Sequence, residues 1–276
     1  MNSRLLAFAI TAAAAFWHGG SAGQDKPAPD APYVERSQKQ FNFYPGGKIE
    51  VVAGMPGNVE IQGWERARVV VESERIVYYL PHDKAKELAA AYPLRVRYTQ
   101  TSASVTAQGP PKSPLAMETN LRLFVPREKT DLKITVAKGD FAVSLVNGWV
   151  EANLELGNVE ARSVQGYFSA ITKQGDLDVE LSGRRWLGHG FTALTHQGNA
   201  RLRMPEVFSA ALQLETKAGN FTIDYPEQTV DGEKVPLLAA VKGTARNLNA
   251  TVGEGGALIR ISTVAGDIHV SRIPAP

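Results

Sequence analysis

From Lys48 onward the chain alternates apolar and polar positions with a period of two, interrupted by glycine-containing turns. That is the pattern of half-buried strands. KIEVVA (48–53), GNVEIQ (57–62), the Val/Ile-rich stretch 68–78, and segments 95–105 and 121–125 all read as strands, with a Gly/Pro/Ser loop at 108–114. A 3.6-residue period shows only at Asp83–Tyr92, where Ala85, Leu88, Ala89 and Tyr92 share one face. Asp83 is the expected N-cap there and Pro93 the stop. So short a helix needs a surface to lie on, and it is expected to cover a sheet rather than act as a lid.

From Gly139 the alternation becomes regular. Gly139, Gly148, Gly157, Gly166 and Gly175 recur every 9 residues and open the units GDFAVSLVN, GWVEANLEL, GNVEARSVQ, GYFSAITKQ and GDLDVELSG. In each unit a turn residue precedes a period-two strand, as in Leu177, Val179 and Leu181 against Asp178 and Glu180. Glycine takes positive φ freely, and Asp or Asn side chains bond nearby backbone amides, so Gly-Asx pairs make tight corners. The turn pairs are Gly139-Asp140, Gly157-Asn158, Gly175-Asp176, Gly198-Asn199, Gly219-Asn220 and Gly266-Asp267, with wider gaps toward the C-terminus. Repeats of two short strands imply stacked coils, an all-β solenoid-like domain with one short helix. A β-sandwich is the alternative, because alternating short strands with turn signals mark it as well.

Upstream of the repeats, Arg4 precedes a 12-residue apolar run, Leu5–Phe16, and small residues at Ser21, Ala22 and Gly23. This reads as a cleavable signal peptide over 1–23, the run being shorter than the roughly 20 residues a membrane span needs. A Pro-rich linker follows over 24–40, with ordered structure beginning near Tyr33, and the repeat domain occupies 41–273. Export to the periplasm, cell surface or medium follows, with no transmembrane segment after cleavage.

Composition narrows the chemistry. The chain has no cysteine, so disulfides and thiolate metal sites are out. Thirty Lys plus Arg against 28 Asp plus Glu provide no clustered positive charge for nucleic acid. Calcium-binding nonapeptide repeats need a GGxGxD turn in every unit, and here Trp149 and Tyr167 occupy that place in two units. His82, His189, His196 and His269 lack metal-site spacing, no GxSxG elbow occurs, and GEGG at 253–256 lacks the Lys-Ser/Thr of a phosphate loop. No cofactor and no catalytic residue is expected. Asp176 and Asp178 are the best carboxylate candidates for glycan cleavage, although solvated strand positions look the same. The rhythm breaks at SGRRWLGHG (182–190), placing Arg184, Arg185, Trp186 and His189 on one loop, and this is the candidate interaction site.

FNFYPGGKIEVVAGMPGNVEIQGW, TVAKGDFAVSL, ITKQGDLDVEL, LETKAGNFTIDY and VGEGGALIRISTVAGDIHV together resemble the bacterial exported family called putative adhesins, a domain of unknown function. The resemblance runs from about Phe41 to Val270. It implies a single-stranded right-handed parallel β-helix body and a cell-envelope or surface protein, with no catalytic residues to carry over. The expected function is therefore non-enzymatic, an adhesin-like module contacting an envelope protein or glycan. The alternative is a polysaccharide-active β-helix enzyme, hydrolase or lyase.

Overall fold

The computed structural model describes residues 31–110, 117–225, 228–230, 233–235 and 247–273. The signal peptide read at 1–23, the start of the linker and part of the 108–114 loop lie outside the described residues. In chain order the strands begin with β1 (Tyr33–Asn42), β2 (Lys48–Pro56), β3 (Val59–Trp64) and β4 (Arg68–Val77), followed by helix α1 (His82–Ala91). Next come β5 (Arg95–Tyr98), β6 (Ser102–Ala107), β7 (Met117–Pro126), β8 (Glu128–Lys138), β9 (Phe141–Ser144) and β10 (Asn147–Leu156). After these stand β11 (Val159–Arg162), β12 (Gln165–Gln174), β13 (Leu177–Glu180), β14 (Gly188–Gln197), β15 (Ala200–Met204) and β16 (Ala210–Ala218). The last are β17 (Phe221–Asp224), β18 (Gln228–Val230), β19 (Glu233–Val235), β20 (Asn247–Val252), β21 (Leu258–Ala265) and β22 (Ile268–Arg272).

Twenty of these strands build two large mixed sheets of ten strands each, and β18 pairs with β19 in a separate two-stranded sheet. The first runs β1-β4-β7-β3-β9-β11-β13-β15-β22-β17, the second β20-β16-β21-β14-β12-β10-β8-β2-β6-β5. Inward residues of both sheets share one core, including Ile49, Ile134, Phe168 and Phe191 from the second and Ile61, Phe141, Val179 and Leu202 from the first.

The single-stranded right-handed parallel β-helix or solenoid expected from the spacing is therefore corrected. The architecture is sandwich-like, two open sheets face to face, which was the alternative. Two physical facts separate the outcomes. Antiparallel pairs flank the parallel strands, β1 with β4 and β4 with β7 in one sheet, β5 with β6 and β16 with β20 in the other. Chain order also departs from spatial order. β2 lies between β8 and β6 and β3 between β9 and β7, while β21 and β22 insert between β14 and β16 and between β15 and β17.

Within β8–β13 the nine-residue arms are unequal. A long strand of 10 or 11 residues in the second sheet alternates with a 4-residue strand in the first. Successive glycines thus mark two different corners, and the structural period is 18, as in Trp149 opposite Tyr167 and Val159 opposite Leu177.

Four of the buried threonines are satisfied by backbone carbonyls, while the buried Thr119 Oγ1 and Arg203 Nε have no hydrogen-bond partner among the described residues. Thr172, Thr195, Thr263 and Thr216 are fully buried, and their hydroxyls donate to the carbonyls of Gly157, Gly175, Gly198 and Gly266 at 2.7–2.8 Å. Such bonds contribute about 1 kcal/mol each, and leaving the carbonyls unmet would cost more.

Helix α1 starts at His82 with Pro81 as its cap residue, which makes no side-chain capping bond. Asp83, expected as the cap, sits one residue inside, in the first turn, where the helix dipole still favours it. The helix packs Ala85 and Ala89 onto Met55, Val77 and Met117. Buried Arg75 locks its far end, donating to the carbonyls of Ala89 and Tyr92 at 2.8 and 2.7 Å and pairing with Glu35 at 2.7 Å.

Candidate functional site

The two kinds of corner carry different chemistry. At the first, the backbone N–H of each Asx donates to the side-chain oxygen of its spatial neighbour. Asn58 N–H donates to Asn120 Oδ1, Asp140 to Asn58, Asn158 to Asp140, Asp176 to Asn158, Asn199 to Asp176, Asp267 to Asn199 and Asn220 to Asp267, all at 2.8–2.9 Å. From Asn58 onward the ladder alternates amide and carboxylate, but only in spatial order, where Asp267 separates Asn199 from Asn220. The alternation keeps carboxylates two strand spacings apart, close to 10 Å.

The corner glycines are sterically fixed. Gly139, Gly157, Gly175, Gly198 and Gly266 have φ between +138° and +153°. A Cβ on Gly175 would collide with the carbonyl of Gly157, and the same holds down the column. Gly219 lies outside the positive-φ set, although a Cβ there would strike the Gly266 carbonyl.

Beside this edge, on the outer face of the first sheet, lies an open groove of about 530 Å³. Asp176 and Asp178 line it together with Glu160, Arg201 and His269. Both aspartates are already engaged. Asp176 accepts from Asn199, and Asp178 accepts from Arg203 at 2.7 Å and Arg201 at 3.4 Å. Arg203 also pairs with Glu180 at 3.1 Å. Among the described residues no group of three or more His, Asp or Glu side chains gathers closely enough to hold a metal ion.

The second corner has glycine followed by a ring: Gly148-Trp149, Gly166-Tyr167 and Gly188-His189. Gly148 and Gly166 stand opposite each other, as do Trp149 and Tyr167. The two rings stack with centroids 3.9 Å apart and planes at 23°. Between β12 and β14 the register shifts, so that Gly166 faces Gly188 and Tyr167 faces Gly190. The extra residue is His189, and such a bulge re-aims a side chain. Its ring lies 6.5 Å from that of Trp149. Trp149 is 41% exposed, and its indole N–H already donates to Glu151 at 2.7 Å.

Nothing in a single glycine-aromatic pair marks a site. The signal is the recurrence of a ring after alternate glycines, where the Gly-Asx turn has Asp or Asn.

The predicted loop divides. Trp186 turns inward, 4% exposed, edge-on to Phe191 with centroids 5.4 Å apart and its N–H donating to the Gly166 carbonyl at 3.2 Å. Arg184 and Arg185 stay exposed, their backbone tied to Ser209. Only His189 reaches the aromatic edge. No helix among the described residues is long and apolar enough to cross a membrane.

No family model matches the chain. No curated protein matches it either. Among solved structures, a putative cell adhesion protein of Clostridium sporogenes is similar at 12% identity and a TM-score of 0.46, over 87% of this chain and 100% of that one. A putative adhesin of Bacteroides fragilis is similar at 9% identity and a TM-score of 0.36, over 87% and 97%. A putative lipid binding protein of Parabacteroides distasonis is similar at 12% identity and a TM-score of 0.29, over the same shares. Likeness at this level carries no argument about function, which rests on the chain's own geometry.

Proposed function

We propose that the protein is an exported, non-catalytic binding module of the bacterial envelope, presenting the Trp149–Tyr167–His189 edge to a protein or glycan partner. Export rests on the signal-like residues 1–23. The observation that carries binding is the stack of Trp149, 41% exposed, on half-buried Tyr167, standing on the outer face of strands whose inward Val150, Ala152, Phe168 and Ala170 are buried in the core. Rigid aromatic rings with few rotatable bonds lose little entropy on contact, which is why they anchor interfaces.

The competing reading, a polysaccharide-cleaving enzyme, relies on Asp176 and Asp178. Both already serve as acceptors for partners within the sheet edge, and a reacting carboxyl must instead reach the glycosidic bond.

The test immobilises the purified protein and passes bacterial envelope proteins and glycans over it. Retention lost in Trp149→Ala/Tyr167→Ala, with an unchanged circular dichroism spectrum, supports the reading. Equal retention by that variant, or none by the parent protein, refutes it.

A further inference from the structure

One face of the Trp149 indole is covered by Tyr167, on the β12 side. The other looks toward β8 and β2, where Lys48, Asp131, Leu132, Lys133, Trp149 and Glu151 enclose a concavity of about 160 Å³. We propose that this concavity is a subsite for one pyranose ring of a neutral glycan, with Trp149 as its stacking wall. The inference rests on the binding-module reading above and names the ligand class.

Three features select that chemistry. The first is the wall itself. An aromatic face is electron-rich, and the C–H bonds on the flat side of an equatorially substituted sugar ring carry the complementary partial charge. Stacking against Tyr167 and the bond from the indole N–H to Glu151 hold the wall upright before any ligand arrives, so little ordering is left to be done on binding.

The second feature is the rim. It holds two carboxylates, Asp131 and Glu151, which only accept hydrogen bonds, and two ammonium groups, Lys48 and Lys133, which only donate. Charges of both signs balance, so the rim has no preference for an ionic ligand. It suits a molecule offering donors and acceptors side by side, as the hydroxyls of one sugar ring do. Lys133 is already drawn toward Glu50 at 3.3 Å and Glu151 toward the indole, which leaves Lys48 and Asp131 as the groups to meet ligand hydroxyls.

The third feature is size. The concavity is about half the volume of the smallest pockets that engulf drug-sized ligands, roughly 300 Å³. It fits one ring of a chain that lies across the surface, and it is too small for a folded peptide epitope.

Isothermal titration with cellohexaose and with hexa-N-acetylchitohexaose, both neutral and equatorially substituted, tests this, with hexagalacturonate as the charged comparison. Saturable binding of one neutral hexamer, tighter than hexagalacturonate and weakened roughly tenfold or more in Trp149→Ala, is the expected result. Asp131→Ala should weaken binding while leaving the ring stack in place, and Trp149→Phe should retain part of it. Absence of saturable binding of either hexamer at about 10 mM, or equal affinity in Trp149→Ala, overturns the inference. If envelope proteins are retained through Trp149 and Tyr167 while neither hexamer binds, the glycan subsite fails and the binding-module reading stands.

Discussion

The backbone N–H of Asp176 donates to Oδ1 of Asn158 at 2.8 Å, and the backbone N–H of Asn158 in turn donates to Oδ1 of Asp140 at 2.8 Å. An amide thus stands between two carboxylates, each about one strand spacing away, near 4.8 Å.

Asn158→Asp keeps the acceptor oxygen and adds a third consecutive charge. Coulomb repulsion from two neighbours at that spacing in near-aqueous dielectric amounts to about 1–2 kcal/mol. Like charges raise the folded-state pKa of the new carboxyl above its unfolded value. The variant should therefore match the parent protein in acid and fall behind as pH rises past about 4. Urea unfolding at neutral pH should show the deficit, shrinking at high salt. A deficit that persists in acid would mean the hydrogen bond, and not charge, sets the alternation.

Gly175→Val should cost at least about 3 kcal/mol, combining left-handed backbone at φ +150° with a collision against the Gly157 carbonyl. Gly183 is the control. It also has positive φ, +78°, but open space around it, so Gly183→Ala should cost only about 1 kcal/mol. Thermal unfolding of the two variants separates backbone handedness from lack of room.

Trp186→Ala should lose about 3–5 kcal/mol, because the ring caps the core beside Phe191. Arg184→Ala and Arg185→Ala should stay within about 0.5 kcal/mol of the parent protein. Denaturant midpoints for all three divide the loop into a structural residue and surface residues.

Arg75→Met preserves the stem but removes the donors that hold the Ala89 and Tyr92 carbonyls. It should cost about 2–3 kcal/mol. Hydrogen exchange should quicken in helix α1 and remain unchanged in β10–β13, far from it in the strand order.

Local features of this fold were readable from sequence because they are local. Alternation specified strands, and Ala85, Leu88, Ala89 and Tyr92 marked the helix face. The sheet order was not readable. The 47-residue gap between Gly219 and Gly266 looks like a loosened repeat, whereas β22 lies between β15 and β17, and no short-range pattern encodes which strand a later one will join. The Asn/Asp alternation does carry that information, yet it becomes regular only once Asp267 is placed between Asn199 and Asn220. The unequal arms were hidden as well, since glycine every 9 residues serves both corners alike. Trp186 misled because Arg-Arg-Trp reads as an exposed loop, and only the packed Phe191 explains its inward turn.

Hydroxyl-radical footprinting, with and without an envelope extract that the protein retains, tests the binding edge most directly. The account predicts reduced oxidation of Trp149, Tyr167 and His189 in the presence of the extract, with His269 in the opposite sheet's groove unaffected. Protection of His269 with Trp149 and Tyr167 oxidised as before would contradict it and move the binding surface to the Asx side.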